Sequence, residues 1–135
     1  MRRLMDLAHA RGLLVEWAPL GDEVRGYYEH HVRTITLNTA LPQDLLLCAF
    51  AHELGHAWYG HVPVHDQRLA ERHELLADRY AADLLITPDA YARAEALVGP
   101  HLGAIALELS CDVNLVAVYQ DALETRRRPT ARRPA

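Results

Sequence analysis

The sequence predicts an α+β domain in which a small antiparallel three-stranded sheet packs against one chemically active helix, followed by a helical C-terminal half. The chain has 135 residues, enough for one hydrophobic core but not for two. Its first third holds short segments rich in β-branched and aromatic residues, and everything after residue 41 has helical patterning. Because strands and helices are segregated along the chain, the class is α+β.

The N-terminal third is predicted to contain one helix and three strands. Apolar residues at helical spacing predict a helix over residues 2–11, which Gly12 ends. The predicted strands are residues 13–17, 24–30 and 32–37. We expect them to form an antiparallel meander, with the third strand at an edge beside the following helix.

The remaining chain is predicted to be helical. The expected helices are residues 42–59, 67–86, 88–98, 101–109 and 112–124. Asp66 can cap the second of these, Pro88 can open the third, and Gly99 followed by Pro100 can close it. Together with the N-terminal elements, these helices are expected to form a single domain over residues 1–125.

The charge distribution argues against direct nucleic-acid binding. The last ten residues hold five arginines and no acidic side chain, so residues 1–125 alone carry a net charge of -9, against -4 for the whole chain. An acidic body without a helix-turn-helix pattern lacks the footprint of a nucleic-acid-binding protein. We interpret the Arg/Pro-rich residues 126–135 as a disordered tail. A weak electrostatic contact of this tail with nucleic acid or an acidic partner is the alternative.

The hydropathy pattern and the cysteines indicate the compartment. No apolar run approaches the roughly 20 residues of a membrane span, and the N-terminus lacks the apolar centre of a signal peptide. We therefore expect a cytoplasmic protein with no membrane contact. Cys48 and Cys111 are predicted to be buried free thiols rather than a disulfide.

Residues 52–56 read His-Glu-Leu-Gly-His, a pattern that can hold a zinc ion and activate a water molecule. His52 and His56 are four residues apart, so on a helix they lie one turn from each other on one face and can share a metal. Glu53 lies beside them, where its carboxylate can accept a proton from the activated water. The flanking apolar residues predict a mostly buried helix, in which these polar groups need partners. The pattern predicts one Zn²⁺ per chain, and a metal-free interaction domain with ordinary core histidines is the alternative.

A catalytic zinc usually takes a third protein ligand, and the predicted helix of residues 67–86 offers candidates. Glu74 lies at the edge of its apolar stripe, 18 residues after the motif. Asp78 follows one turn later and can accept the ring N–H of a ligating histidine. This spacing is similar to that of zincins whose third ligand is glutamate. We expect Glu74 to be the ligand and Asp78 to be its companion, with Glu71 and His73 as rivals to Glu74.

Four further residues near the motif are candidates for the substrate side of the site. An oxyanion donor is needed, and the chemistry allows Tyr59, His61, His65 and His73. The metzincin pattern would place a third histidine ligand at Val62, which His61 misses by one residue. We therefore interpret His61 and His65 as loop histidines.

Three segments of the chain together resemble the ImmA/IrrE family of metallopeptidases. They read CAFAHELGHAWYGH, ELLADRYAADLLITP and ALELSCDVNLVAVYQDAL, and the resemblance extends from about residue 4 to residue 124. It implies a zincin-like fold with His52, His56 and Glu74 as zinc ligands, Glu53 as general base and Asp78 as companion. The chain departs from the family at Leu76, where many members have a second glutamate.

The resemblance implies a cytoplasmic zinc endopeptidase whose substrate is a transcriptional repressor or a similar regulatory protein. The alternative from another class is a non-proteolytic zinc-binding regulator that acts by occupying a repressor or other protein partner. Both use the same ligands, so the motif does not separate them. The oligomeric state is left open by the sequence.

Overall fold

The computed structural model describes residues 1–128, which form six α-helices and one three-stranded sheet. The elements are α1 (Arg2–Ala10), β1 (Leu14–Ala18), β2 (Gly26–Glu29), β3 (Thr34–Asn38), α2 (Gln43–Tyr59), α3 (Gln67–Leu85), α4 (Pro88–Val98), α5 (Leu102–Leu109) and α6 (Val113–Arg127). A single 3₁₀ turn, His30–Val32, connects β2 to β3. The predicted α+β class is confirmed.

The sheet is mixed, with the strand order β1-β3-β2. β3 runs parallel to β1 and antiparallel to β2. The predicted antiparallel meander is therefore wrong, and β3, which was expected at an edge, is the central strand. The physical reason is burial: all five residues of β3 are buried, on both faces of the strand. β3 is also hydrogen-bonded along both edges, to β1 and to β2, as a central strand is.

Asn38, at the end of β3, organises the connection that carries the chain from β1 past β3 to β2. Its side-chain amide donates to the carbonyl oxygens of Gly21 at 2.7 Å and Val24 at 2.8 Å. Its side-chain oxygen accepts the backbone N–H of Ala40 at 3.0 Å. Asn38 is only 2% exposed, so these bonds satisfy a buried amide and hold the loop.

The core lies around α2, which packs against β2, β3 and α3. Phe50 and Leu54 of α2 are fully buried in the same apolar cluster as Ile35 of β3 and Val116 of α6. A helix covered on several sides cannot leave polar side chains unpartnered without cost. The polar residues of α2 are therefore candidates for the functional site.

The Asp66 side chain accepts the backbone N–H of Leu69 at 3.0 Å, as predicted for the cap of α3. The boundaries of the helices agree with the prediction to within a few residues. The largest difference is in α6, which continues to Arg127 and so includes the first two residues of the predicted disordered tail. Arg128 follows the helix, and the predicted tail from residue 129 onward lies outside the described residues.

The thiols of Cys48 and Cys111 are free, with Cys48 buried and Cys111 partly exposed. Their sulfur atoms lie 3.7 Å apart, although 62 residues separate them in the sequence.

Within residues 1–128, no single helix is long and apolar enough to cross a membrane, and α5 and α6 reach that length and composition only as a pair bent by 112°.

Candidate metal centre

The backbones of α2 and α3 come into direct contact at Gly55, in the middle of the His-Glu-Leu-Gly-His motif. A Cβ atom on Gly55 would lie 2.8 Å from both the Cα and the carbonyl oxygen of Ala77 on α3. Only a residue without a side chain permits this approach. The consequence is that the histidines of α2 reach the carboxylates of α3.

Three side chains place their ligand atoms together at this contact. His52 Nε2 lies 2.8 Å from Glu74 Oε2 and 3.1 Å from His56 Nε2. His56 Nε2 lies 3.4 Å from Glu74 Oε1. Among residues 1–128 these three form the one group of this kind able to hold a metal ion.

The donor set and its spacing fit a zinc ion. Ligand atoms about 2.0–2.1 Å from a tetrahedral zinc are separated from each other by about 3.3 Å, close to the distances between the two ring nitrogens and from each of them to an oxygen of Glu74. Once the Nε2 of His52 has lost its proton, the two ring nitrogens at 3.1 Å would repel each other, and a shared cation removes that repulsion. Imidazole nitrogen and carboxylate oxygen are ligands that zinc accepts.

The outer ring nitrogens of both histidines also have partners. His52 Nδ1 lies 2.7 Å from Asp78 Oδ1, where the prediction placed that carboxylate. His56 Nδ1 lies 2.9 Å from His61 Nδ1, a contact that the sequence analysis did not foresee. Such outer bonds fix the orientation and tautomer of a metal-binding histidine.

The charges of the cluster are strongly coupled in the metal-free protein. Burial lowers the pKa of His52, but its hydrogen bonds to Asp78 and Glu74 outweigh burial and raise the pKa to about 10. The same contacts, first with His52 and then with His56, hold the pKa of Glu74 well below its usual range. A proton on His52 therefore occupies the position that a metal cation would take.

Glu53 points into the same region from α2 and is only 7% exposed. Burial raises the pKa of its carboxyl above the usual range, and the nearby histidines oppose that shift. Glu53 lies against β2, since its Cγ would be 3.7 Å from a Cβ placed on Gly26. A carboxylate of raised pKa beside this group of candidate metal ligands is suited to accepting a proton.

A cleft of about 660 Å³ opens over the cluster. Its walls come from β2 with the residues before it, from the segment after α2, and from the start of α6. Arg25 and Asp112, which form an ion pair between the β2 side and α6, both line it. The cleft gives an extended ligand access to the candidate metal site.

The four predicted substrate-side residues divide into two groups. His61 and His73 line the cleft, whereas Tyr59 and His65 do not. The rings of His61 and His73 stack with centroids 3.8 Å apart, and Tyr59 stacks on His61 at 5.3 Å. Burial, followed by the charge of His73, lowers the pKa of His61 to about 4, so its ring is neutral at ordinary pH.

The rivals to Glu74 lie elsewhere on α3. Glu71 is exposed and accepts a hydrogen bond from Gln67 at 3.1 Å. The ring of His73 packs against His61 rather than joining the ligand cluster.

The contribution of β2 to the cleft was not predicted from the sequence. Tyr28 lines it and its hydroxyl lies 2.8 Å from His30 Nδ1. The segment was predicted as a strand, but its position beside the motif helix depends on the strand order. In the sequence, the only signal for a central third strand was that residues 32–37 have some apolar side chains on both faces.

The fold and the cluster together define a metallopeptidase-like protein, in which a buried helix supplies two histidines and the next helix a glutamate. A family model described as the IrrE N-terminal-like domain, of the Peptidase M78 family, matches residues 8–109. No curated protein matches the chain significantly. The match covers most of the chain, which therefore belongs to the ImmA/IrrE family of metallopeptidases.

Proposed function

We propose that this protein is a zinc-dependent endopeptidase of the cytoplasm that cleaves a DNA-binding transcriptional repressor. The observation that carries the proposal is the convergence of His52, His56 and Glu74, whose ligand atoms lie 2.8–3.4 Å apart. The buried carboxylate of Glu53 beside them supplies the base. Family membership supports a protein substrate, and the repressor and the compartment are inferred from the family resemblance.

The chemistry divides between the metal and the chain. A zinc ion held by His52, His56 and Glu74 would supply Lewis acidity, which would polarise the scissile carbonyl and lower the pKa of a water molecule to about 7. Glu53 accepts the proton of the attacking water and passes it to the leaving amine, for which its raised pKa is an advantage. Asp78 holds the ring of His52 through the bond at Nδ1.

The oxyanion of the tetrahedral intermediate needs a donor from the cleft wall. Tyr59 and His65 lie outside the cleft. His61, His73 and Tyr28 are the remaining candidates, because all three line the cleft and can donate.

The substrate is proposed to bind as an extended strand along β2, which lies at an edge of the sheet. Asn38 N–H donates to Arg25 O at 3.0 Å, so these two residues form a hydrogen-bonded pair of the antiparallel ladder. Hydrogen-bonded and non-hydrogen-bonded pairs alternate along an antiparallel ladder, so Gly26 and Tyr28 are at non-hydrogen-bonded positions. Their backbone N–H and C=O groups therefore point away from β3. Those groups lie at the cleft and are available to a peptide backbone.

The test compares zinc-loaded wild type with Glu53→Gln by mass-spectrometric mapping of new protein N-termini in a lysate of the host cell. We expect the wild type to generate new termini in one or a few regulatory proteins. Glu53→Gln should bind zinc normally and generate none. Glu108→Gln, a change on the exposed surface of α5, is the matched control and should behave as wild type.

Two results would contradict the proposal. Equal cleavage by Glu53→Gln would remove Glu53 as the base. The second result is a zinc-loaded wild type that generates no new termini, together with a Glu53→Gln variant that still has the regulatory effect of the wild type in the cell. It would favour the alternative, a zinc-binding regulator that binds its protein partner without cleaving it.

A further inference from the structure

We propose that His61 is a positioning residue for His56, whose Nδ1–H it accepts, so that the Nε2 of His56 is fixed toward the metal. This inference rests on the proposed zinc site and names a residue outside the His-Glu-Leu-Gly-His motif on which that site depends.

The backbone turn that ends α2 brings His61 to His56. Gly60 has a left-handed φ of 66°, which favours glycine. The N–H of Gly60 donates to Ala57 O at 3.2 Å and the N–H of His61 donates to His56 O at 2.9 Å. These two bonds form the Schellman motif, in which the side chains at the positions of His56 and His61 usually make an apolar contact. Here the two side chains are imidazoles, and they meet through their nitrogens.

The ring contact requires a defined tautomer on each side. The two Nδ1 atoms are 2.9 Å apart, so one must donate and the other accept. The Nε2 of His56 faces His52 and Glu74 and must be unprotonated to bind a metal. The proton of His56 is therefore on Nδ1, and the Nδ1 of His61 is the acceptor.

The acceptor ring is itself held in place. It stacks on His73 with centroids 3.8 Å apart and an interplanar angle of 12°, and on Tyr59 with an angle of 15°. His61 thus does for His56 what the Asp78 carboxylate does for His52 at 2.7 Å. An imidazole does this without adding a further negative charge beside Glu53, Glu74 and Asp78.

Geometry distinguishes this role from that of a ligand. His61 contacts the Nδ1 of His56, on the side of the ring away from the cluster, and is not part of the group of converging ligand atoms.

The test uses two substitutions of His61 that differ in the acceptor. His61→Phe keeps an aromatic ring for the stack on His73 but has no acceptor. His61→Asn carries a carboxamide oxygen on Cγ, the position that Nδ1 has in histidine. We expect zinc affinity, measured by competition with a chromophoric chelator, to fall about 10- to 100-fold in His61→Phe and to be largely retained in His61→Asn. His65→Phe, at an exposed histidine outside the cleft, should bind zinc as wild type.

A second measurement does not depend on a variant. In zinc-loaded wild type with ¹⁵N-labelled histidine, we expect a scalar coupling across the hydrogen bond between the Nδ1 atoms of His56 and His61. Absence of that coupling would overturn the proposal, as would wild-type zinc affinity in His61→Phe or equal losses in the Phe and Asn variants. In each of those cases the zinc site of the proposed function would still stand. A wild type that binds no zinc would instead overturn the proposed function itself.

Discussion

His52 is held at both ends of its ring, by Asp78 at Nδ1 and by Glu74 at Nε2. These two carboxylates outweigh burial and raise the pKa of His52 from 6.5 to about 10 in the metal-free protein. At neutral pH the ring therefore carries two protons, one on each nitrogen. A metal ion can bind only by displacing the proton from Nε2.

We predict that zinc binding at neutral pH releases about one proton from His52. Calorimetry in buffers of different ionisation enthalpy measures this number. Asp78→Asn removes the carboxylate on Nδ1, lowers the pKa of His52 and should reduce the release, whereas Asp83→Asn, at an exposed position of the same helix, should not. A wild type that releases no proton would contradict this description of the site.

The same raised pKa affects the stability of the metal-free protein. A group whose pKa is higher in the folded state stabilises the fold fully below its unfolded pKa, here 6.5. That contribution is lost as the pH rises through about 10. The metal-free fold should therefore lose this stabilisation between those two values.

Gly55 determines how closely α2 and α3 approach, and therefore whether the ligands of the two helices meet. We predict that Gly55→Ala lowers both zinc affinity and the free energy of unfolding, the latter by about 1–3 kcal/mol, because its Cβ would be 2.8 Å from the Ala77 backbone. Chelator competition and urea denaturation measure the two effects.

Gly103 is the matched control for Gly55. A Cβ there meets nothing within 4 Å, and the residue lies in helix α5. Gly103→Ala should leave zinc affinity unchanged and raise stability by up to about 1 kcal/mol. If both alanine variants behaved alike, the close contact at Gly55 would not be what positions the ligands.

β2 is the strand whose outer edge faces the cleft, and Tyr28 offers its backbone N–H there. We predict that Tyr28→Pro, which removes this donor at an edge where proline is tolerated, lowers kcat/KM for the identified substrate about 2- to 10-fold further than Tyr28→Ala. The alanine variant loses the same side chain but keeps the N–H. Zinc content should be equal in both. Equal kcat/KM in the two variants would show that the peptide backbone does not bond to Tyr28.

At the scale of the whole molecule, local sequence patterns predicted some features correctly and could not predict others. The spacing of His52, His56, Glu74 and Asp78 follows helical periodicity, and the structure brings their polar atoms together as expected. Their roles stay predictions. Helix ends marked by Asp66 or Pro88 were likewise readable from single residues.

The pairing of the strands could not be predicted from the sequence. The order of the strands depends on which edge of β3 each neighbour occupies, and the predicted strand of residues 32–37 has some apolar side chains on both faces, which does not decide that order. The expected meander, and with it the expected edge at residues 32–37, failed for that reason. The contact between His56 and His61 was missed because it depends on the turn at Gly60 rather than on helical spacing.

The most direct test of the metallopeptidase is the metal content of the untagged full chain, purified without chelator and measured by elemental mass spectrometry. Wild type is compared with Glu74→Ala and with Glu71→Ala, an exposed glutamate one turn away on the same helix. The site predicts about one zinc per chain in wild type and Glu71→Ala, and far less in Glu74→Ala. A wild type without metal even after zinc is supplied, or a Glu74→Ala variant with full zinc content, would contradict it.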